Sequence, residues 1–137
     1  MQRFVFWTGV YNVVLAVILL IPGMPGRFGL PAPEPIGWLY LTVFFVFVFG
    51  AIVIVASKDL KNRAIFVVWD GIGRVSALAA AVLGSMGLGA IAFGAVDTLI
   101  ALVYFIKLPG YVGTSLWNLI TGKVLPPATE ESSHAGT

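Results

Sequence analysis

Residues 64–106, AIFVVWDGIGRVSALAAAVLGSMGLGAIAFGAVDTLIALVYFI, decide the fold. Two apolar runs flank a glycine-rich turn, Gly84-Ser85-Met86-Gly87-Leu88-Gly89. Each run is about 20 residues long, the length that crosses a hydrocarbon core. The stretch therefore predicts a hairpin of two membrane helices, over residues 64–83 and 88–106. Its unusual residues are the charges inside the apolar runs: Asp70, Arg74 and Asp97.

Helical geometry brings these charges together. Asp70 and Arg74 are four apart and share a face. With the turn centred near Met86, Asp97 returns to within about one turn of Arg74 in depth, at roughly 1.5 Å per residue. Gly73, Arg74, Ala77, Ala81 and Gly84 form a small-residue stripe beside Asp70. Val68, Ile72, Val75, Ala79 and Val82 fall on the other side. In the returning helix, Ala90, Gly94, Asp97, Ala101 and Tyr104 form one stripe, and Phe93, Val96, Ile100 and Val103 another. Small residues let helices approach closely in lipid, and charges face protein rather than acyl chains. Asp70, Arg74 and Asp97 are expected in one buried cluster.

Composition agrees with a membrane protein. The 137 residues suffice for one domain and are 59% hydrophobic and 10% charged; soluble domains carry about 25% charged residues. Mean hydropathy is +1.00. No basic stripe supports nucleic-acid binding. With no cysteine, disulfides, thiolate catalysis and cysteine-ligated clusters are excluded. The single histidine, His134, stands in a polar C-terminal stretch, so a bis-histidine haem or a histidine-based intramembrane metal site within one chain is excluded.

Two further spans precede the hairpin. The first covers about residues 4–21, close to the minimum of about 18 for a crossing. Pro22-Gly23-Met24-Pro25 follows it in place of an Ala-x-Ala-like site, which predicts an uncleaved span rather than a signal peptide. Thr8, Gly9, Asn12 and Ala16 share one of its faces, and Asn12 is expected to find a partner across the bundle. The loop Pro22–Pro35 holds five prolines and three glycines and is expected to be non-helical. It reads as an ordinary connection, with a lid over one end of the bundle as the alternative. The second span covers about 36–56. Phe44, Phe45, Phe47 and Phe49 make it apolar nearly all round, as a lipid-facing helix is. Gly50 and Ala51 offer a point of close contact.

Ser57–Arg63 reads as a short polar loop before the third span. Pro109-Gly110 is expected to end the fourth. Residues 114–123 suit a short interfacial helix, with Leu116, Trp117, Leu119 and Ile120 apolar. From Pro126 to Thr137 the composition predicts a disordered cytoplasmic tail. The expected architecture is thus an all-α integral membrane protein: one four-helix transmembrane domain over 1–125, then the tail.

The basic residues give an orientation. In a four-span chain Arg3, Lys58, Lys61, Arg63, Lys107 and Lys123 share one side, and Arg27 stands on the other. By the positive-inside rule both termini are cytoplasmic. Trp7, Trp38, Trp69 and Trp117 are candidate interfacial anchors. Asn12, Arg74 and Asp97 then lie near one depth, roughly 15 Å from the cytoplasmic edge, with Asp70 one turn nearer that edge.

Two carboxylates face one guanidinium that keeps its proton. A second buried carboxyl without its own counter-charge is a group that can carry a proton across mid-membrane. The competing reading is a structural Asp–Arg–Asp knot that specifies helix packing. Catalysis has little support, because no nucleophile, histidine or metal constellation accompanies Asp70 and Asp97. Small multidrug transporters also have four helices, but carry a glutamate in the first; here Asn12 is the strongly polar residue of that helix.

The chain resembles the DoxX-like group of small four-helix bacterial membrane proteins. The resemblance rests on Lys58-Asp59-Leu60-Lys61-Asn62-Arg63, on Gly71-Ile72-Gly73-Arg74, and on Asp97 followed by Leu99–Phe105. It covers most of residues 36–106. Related sequences often place a proline after the loop aspartate, where Leu60 stands here. The resemblance implies a bacterial inner-membrane fold. Some members of the group are linked to membrane redox complexes, including quinone-linked sulfur oxidation and oxidant-resistance assemblies. The lack of buried cysteine and histidine argues against redox chemistry by this chain alone.

Three functional readings follow. The first is a non-enzymatic accessory or scaffold subunit of a membrane assembly, or a homo-oligomer, with Asp70, Arg74, Asp97 and Asn12 as a structural polar core and no cofactor. The second is a small proton- or ion-coupled transporter or channel using the same residues. The third is a quinone- or lipid-binding subunit with Tyr104 lining the site.

Overall fold

The structure, a computed structural model, describes residues 1–30 and 36–123. Residues 31–35 of the first loop and the stretch expected as a disordered tail lie outside the described residues. The described chain is helical throughout: α1 (Gln2–Leu19), α2 (Met24–Arg27), α3 (Gly37–Lys58), α4 (Leu60–Leu83), α5 (Gly87–Val112) and α6 (Leu116–Thr121). Four of these helices, α1, α3, α4 and α5, are long and apolar enough to cross a membrane.

Several boundaries differ from the sequence reading, each for a local reason. The polar segment Ser57–Arg63 is not a loop. It is almost entirely helical, broken only at Asp59, whose backbone turns out at φ −138°, ψ 63°. Leu60 explains the early start of α4, because it is completely buried in the core and must enter at the first helical position. The Asn62 amide closes the corner by donating to both Asp59 carboxylate oxygens at 3.0 and 3.1 Å.

Pro109-Gly110 does not end the fourth span either. A proline removes one backbone bond, but α5 needs less than one more turn before it stops. The Pro109 carbonyl accepts from Gly113 and Thr114 at 2.9 and 3.1 Å, and Gly113 caps the helix in the left-handed region at φ 80°. The first loop also holds one helical turn, α2, contrary to the non-helical expectation. Pro25 sits at its beginning, where the missing N–H has no helical partner to lose.

The long helices form two antiparallel pairs, α1 with α3 and α4 with α5. Each pair crosses where side chains vanish. A Cβ on Gly50 would lie 2.8 Å from the Asn12 Cβ and 2.9 Å from the Gly9 carbonyl oxygen. In the other pair, a Cβ on Gly94 would lie 2.8 Å from the Leu78 Cα.

The pairs are knit together at the end that carries the N-terminus. One core there draws Val5, Val53, Leu60, Val67, Val68, Tyr104, Leu108 and Leu119 from five helices. Val68, placed by periodicity away from the packed stripe, is fully buried in this core. The second, smaller core, centred on Ala16, Leu19 and Val43 of α1 and α3, is joined by Leu30 of the first loop. At that far end the α2 segment reaches over to α5. Phe28 meets Phe93 edge-on at 5.6 Å between ring centroids, and Gly89 packs directly against the backbone of Phe28 and Gly29. Between the two tied ends the pairs part. The outer surface is apolar, with Phe44, Phe45, Phe47, Phe49, Leu83 and Leu88 exposed, and all four tryptophans are exposed as well.

Candidate functional site

Where the helix pairs part, a cavity of about 250 Å³ opens between them. α4 and α5 supply its charged wall. The Arg74 Nε donates to Asp70 Oδ2 at 2.7 Å, one turn back on the same helix. Its Nη1 donates to Asp97 Oδ1 at 2.5 Å, across the α4–α5 seam. The third guanidinium nitrogen, Nη2, is buried and has no hydrogen-bond partner among the described residues. Asp70 and Arg74 are 5% and 4% exposed, whereas the Asp97 side chain is 22% exposed, so the triad is open on its α5 side.

The triad fastens α4 to α5. α1 and α3 face it across the cavity, and among the described residues neither bonds to it. Asn12 is buried and lines the same space. It does not, however, make the cross-bundle bond its position suggested: among the described residues its amide is joined to none of the three charged side chains. Phe45, Phe49, Leu15 and Val46 complete an apolar wall, with Thr42 beside them. Gly73 and Ala77 floor the space between the charges and α3. Gly73 meets nothing on its open side, since a Cβ there would find no atom within 4 Å.

Tyr104, read from the sequence as a candidate ligand-lining residue, lies elsewhere. It is fully buried in the core at the N-terminal end and is not on the cavity wall. Its hydroxyl bonds to Thr8. The Thr8 hydroxyl donates to the Val5 carbonyl at 2.9 Å, so Tyr104 is the donor in that bond. This Tyr104–Thr8 bond is the one direct polar tie between α1 and α5 among the described residues, and the sequence reading did not include it. The signal was present in the spacing. Thr8 precedes Asn12 by one turn, and Tyr104 follows Asp97 by two, so both pairs share a face on the side of the N-terminal end.

Chemically, the site offers an occupant the oxygen lone pairs of Asp97, whose side chain is the exposed member of the triad. Nη2 is buried, without an acceptor among the described residues, and an unpaired buried donor costs about 1–3 kcal/mol. With both carboxylates ionised and one guanidinium, the triad carries one net negative charge. The one hydroxyl among its lining residues, that of Thr42, donates to the Trp38 carbonyl at 2.8 Å.

No protein-family model, curated protein or solved structure matches the chain.

Proposed function

We propose that this is a multi-pass inner-membrane protein that works by binding rather than by catalysis, as a small accessory subunit holding a lipid-soluble ligand in the cleft between its helix pairs. The observation that carries this reading is the placement of the Asp70–Arg74–Asp97 triad. A buried ion pair carries its own desolvation cost, so packing alone gives no reason to set one beside an open space. Here the triad lines an open apolar cleft, with the Asp97 side chain 22% exposed. An aromatic wall opposite a few convergent polar groups is the usual make-up of a small-molecule site. Phe45 and Phe49 provide the flat apolar surface for a ring or chain, and Arg74 and Asp97 a polar end point. The apolar outer surface supports insertion, and the basic residues gathered at one end support cytoplasmic termini. The DoxX-like resemblance, with its link to quinone-handling assemblies, is compatible with a ring-bearing ligand.

A second reading is proton or cation coupling. It is favoured by two carboxyl groups sharing one guanidinium, together with the partial exposure of the Asp97 side chain.

Native mass spectrometry of the gently solubilised protein, covering proteins, lipids and quinones together, tests the proposal. Binding in the cleft predicts a stoichiometric lipid-soluble molecule, alone or within a larger assembly. A bare chain that drives proton or ion flux after reconstitution would favour the coupling reading.

A further inference from the structure

A second cavity, of about 190 Å³, lies at the N-terminal end of the bundle, away from the triad. It forms where α6 folds back against the start of α4. Lys61 and Lys123 both line it. Neither is in an ion pair among the described residues, where the ion pairs are those of Arg74 alone. The acid nearest to Lys61 in sequence, Asp59, is off the cavity wall and committed to the Asn62 amide.

The position of Lys123 is built. Its backbone N–H donates to the Asn118 carbonyl at 2.9 Å. Gly122 turns the chain in the left-handed region at φ 69°, and a Cβ there would lie 3.2 Å from the Ile65 Cδ1. The turn therefore seats closely on α4 and brings Lys123 round to the cavity that Lys61 lines. Thr114 adds a hydroxyl. Its oxygen already accepts from the Asn118 amide at 3.3 Å, which leaves its own proton to donate. Ile65 and Leu119 supply an apolar floor. Two ammonium groups on one small cavity repel each other unless an anion lies between them.

We propose that this cavity binds a phosphate group between Lys61 and Lys123, either the phosphodiester of an anionic phospholipid or a soluble phosphate. The phosphate oxygens accept from both ammonium groups and from the Thr114 hydroxyl. The apolar floor matches the glycerol and first methylenes of a lipid. This site is independent of the triad cleft and stands or falls separately from the function proposed for it.

The test is native mass spectrometry of the full-length protein with phosphatidylglycerol against phosphatidylcholine at near-physiological salt. A juxtamembrane lysine contributes roughly five-fold to anionic-lipid binding, so removing both in K61Q/K123Q is expected to lower phosphatidylglycerol retention about 25-fold. The charge-matched control K58Q/K107Q alters exposed lysines off the cavity and is expected to lower retention several-fold less than K61Q/K123Q, because those lysines act on the lipid only through the general surface potential. Displacement of the lipid by inorganic phosphate would support the site and identify the phosphate group itself as sufficient. Displacement only by competing lipid would support it and identify the lipid as the source. Equal losses in the two double variants, or equal retention of phosphatidylcholine and phosphatidylglycerol by the wild type, would overturn the proposal.

Discussion

Arg74 on α4 holds Asp97 on α5 at 2.5 Å, and the same guanidinium holds Asp70 at 2.7 Å. One cation therefore serves two anions, and the three residues are not equivalent. Removing Arg74 strands the buried Asp70 carboxylate and the partly exposed Asp97, whereas neutralising Asp97 leaves Arg74 paired with Asp70. R74M is expected to destabilise the protein by about 3–5 kcal/mol, the cost of breaking a buried ion pair from one side. D97N keeps an oxygen for Nη1 and is expected to cost about 1 kcal/mol, the difference between a charge-assisted and a neutral hydrogen bond. The triple variant D70N/R74M/D97N is expected to be more stable than R74M alone. Thermal unfolding in one detergent ranks all four proteins, and R74M melting at or above D97N would contradict the charge accounting.

The Tyr104–Thr8 tie has its own asymmetry. Thr8 gives its proton to the Val5 carbonyl and accepts from Tyr104. Y104F removes a donor and leaves Thr8 with its other bond, at a cost of about 1 kcal/mol. T8V leaves the buried Tyr104 hydroxyl without an acceptor, which costs about 1–3 kcal/mol. The melting temperature of T8V should fall below that of Y104F; the reverse order would mean that the hydroxyl of Tyr104 finds another partner.

Gly50 is the contact point of the α1–α3 pair. In G50L the added side chain meets the Asn12 Cβ and the Gly9 carbonyl oxygen at once. Backbone cannot yield as a flexible side-chain tip can, and packing is what holds helices together in lipid. G50L is therefore expected to lose folded protein on extraction, read as aggregation by size-exclusion chromatography. A monodisperse G50L would show that the two helices do not need to touch there.

Orientation is open to direct labelling, because the chain has no cysteine of its own. Lys58 and Met86 lie at opposite ends of α3–α4 and are both exposed. In intact cells K58C is expected to resist a membrane-impermeant maleimide and M86C to react. The opposite pattern would invert the proposed topology.

Part of this architecture is written directly in residue spacing. The Asp70–Arg74 contact follows from a separation of four, and the Arg74–Asp97 contact from the length of the chain on either side of the Met86 turn. The close approach at Gly9, Asn12 and Gly50 follows from small residues on one face. Other features depend on competition between distant groups. Leu60 reads as a loop residue until a core exists to bury it. Pro109 reads as a stop, because the proline rule ignores how little helix remains beyond it. Tyr104 reads as a ligand contact, because nothing in α5 alone reveals that Thr8 waits on α1. The parting of the helix pairs is the least legible feature. A helix that is apolar all round gives no periodic signal separating a face turned to another helix from a face turned to a cleft.

The account rests on that cleft being occupied, and Gly73 allows the most direct measurement. It lines the cavity and has open space where a side chain would go. G73L should fill the cleft without disturbing the helix, since leucine is the better helix former by about 1 kcal/mol. Native mass spectrometry of gently extracted wild type and G73L, both checked for an undiminished melting temperature, compares their bound lipid-soluble molecules. The account predicts one stoichiometric ligand on the wild type and none on a folded G73L. A wild type that carries nothing, or a G73L that carries the same molecule, would contradict it.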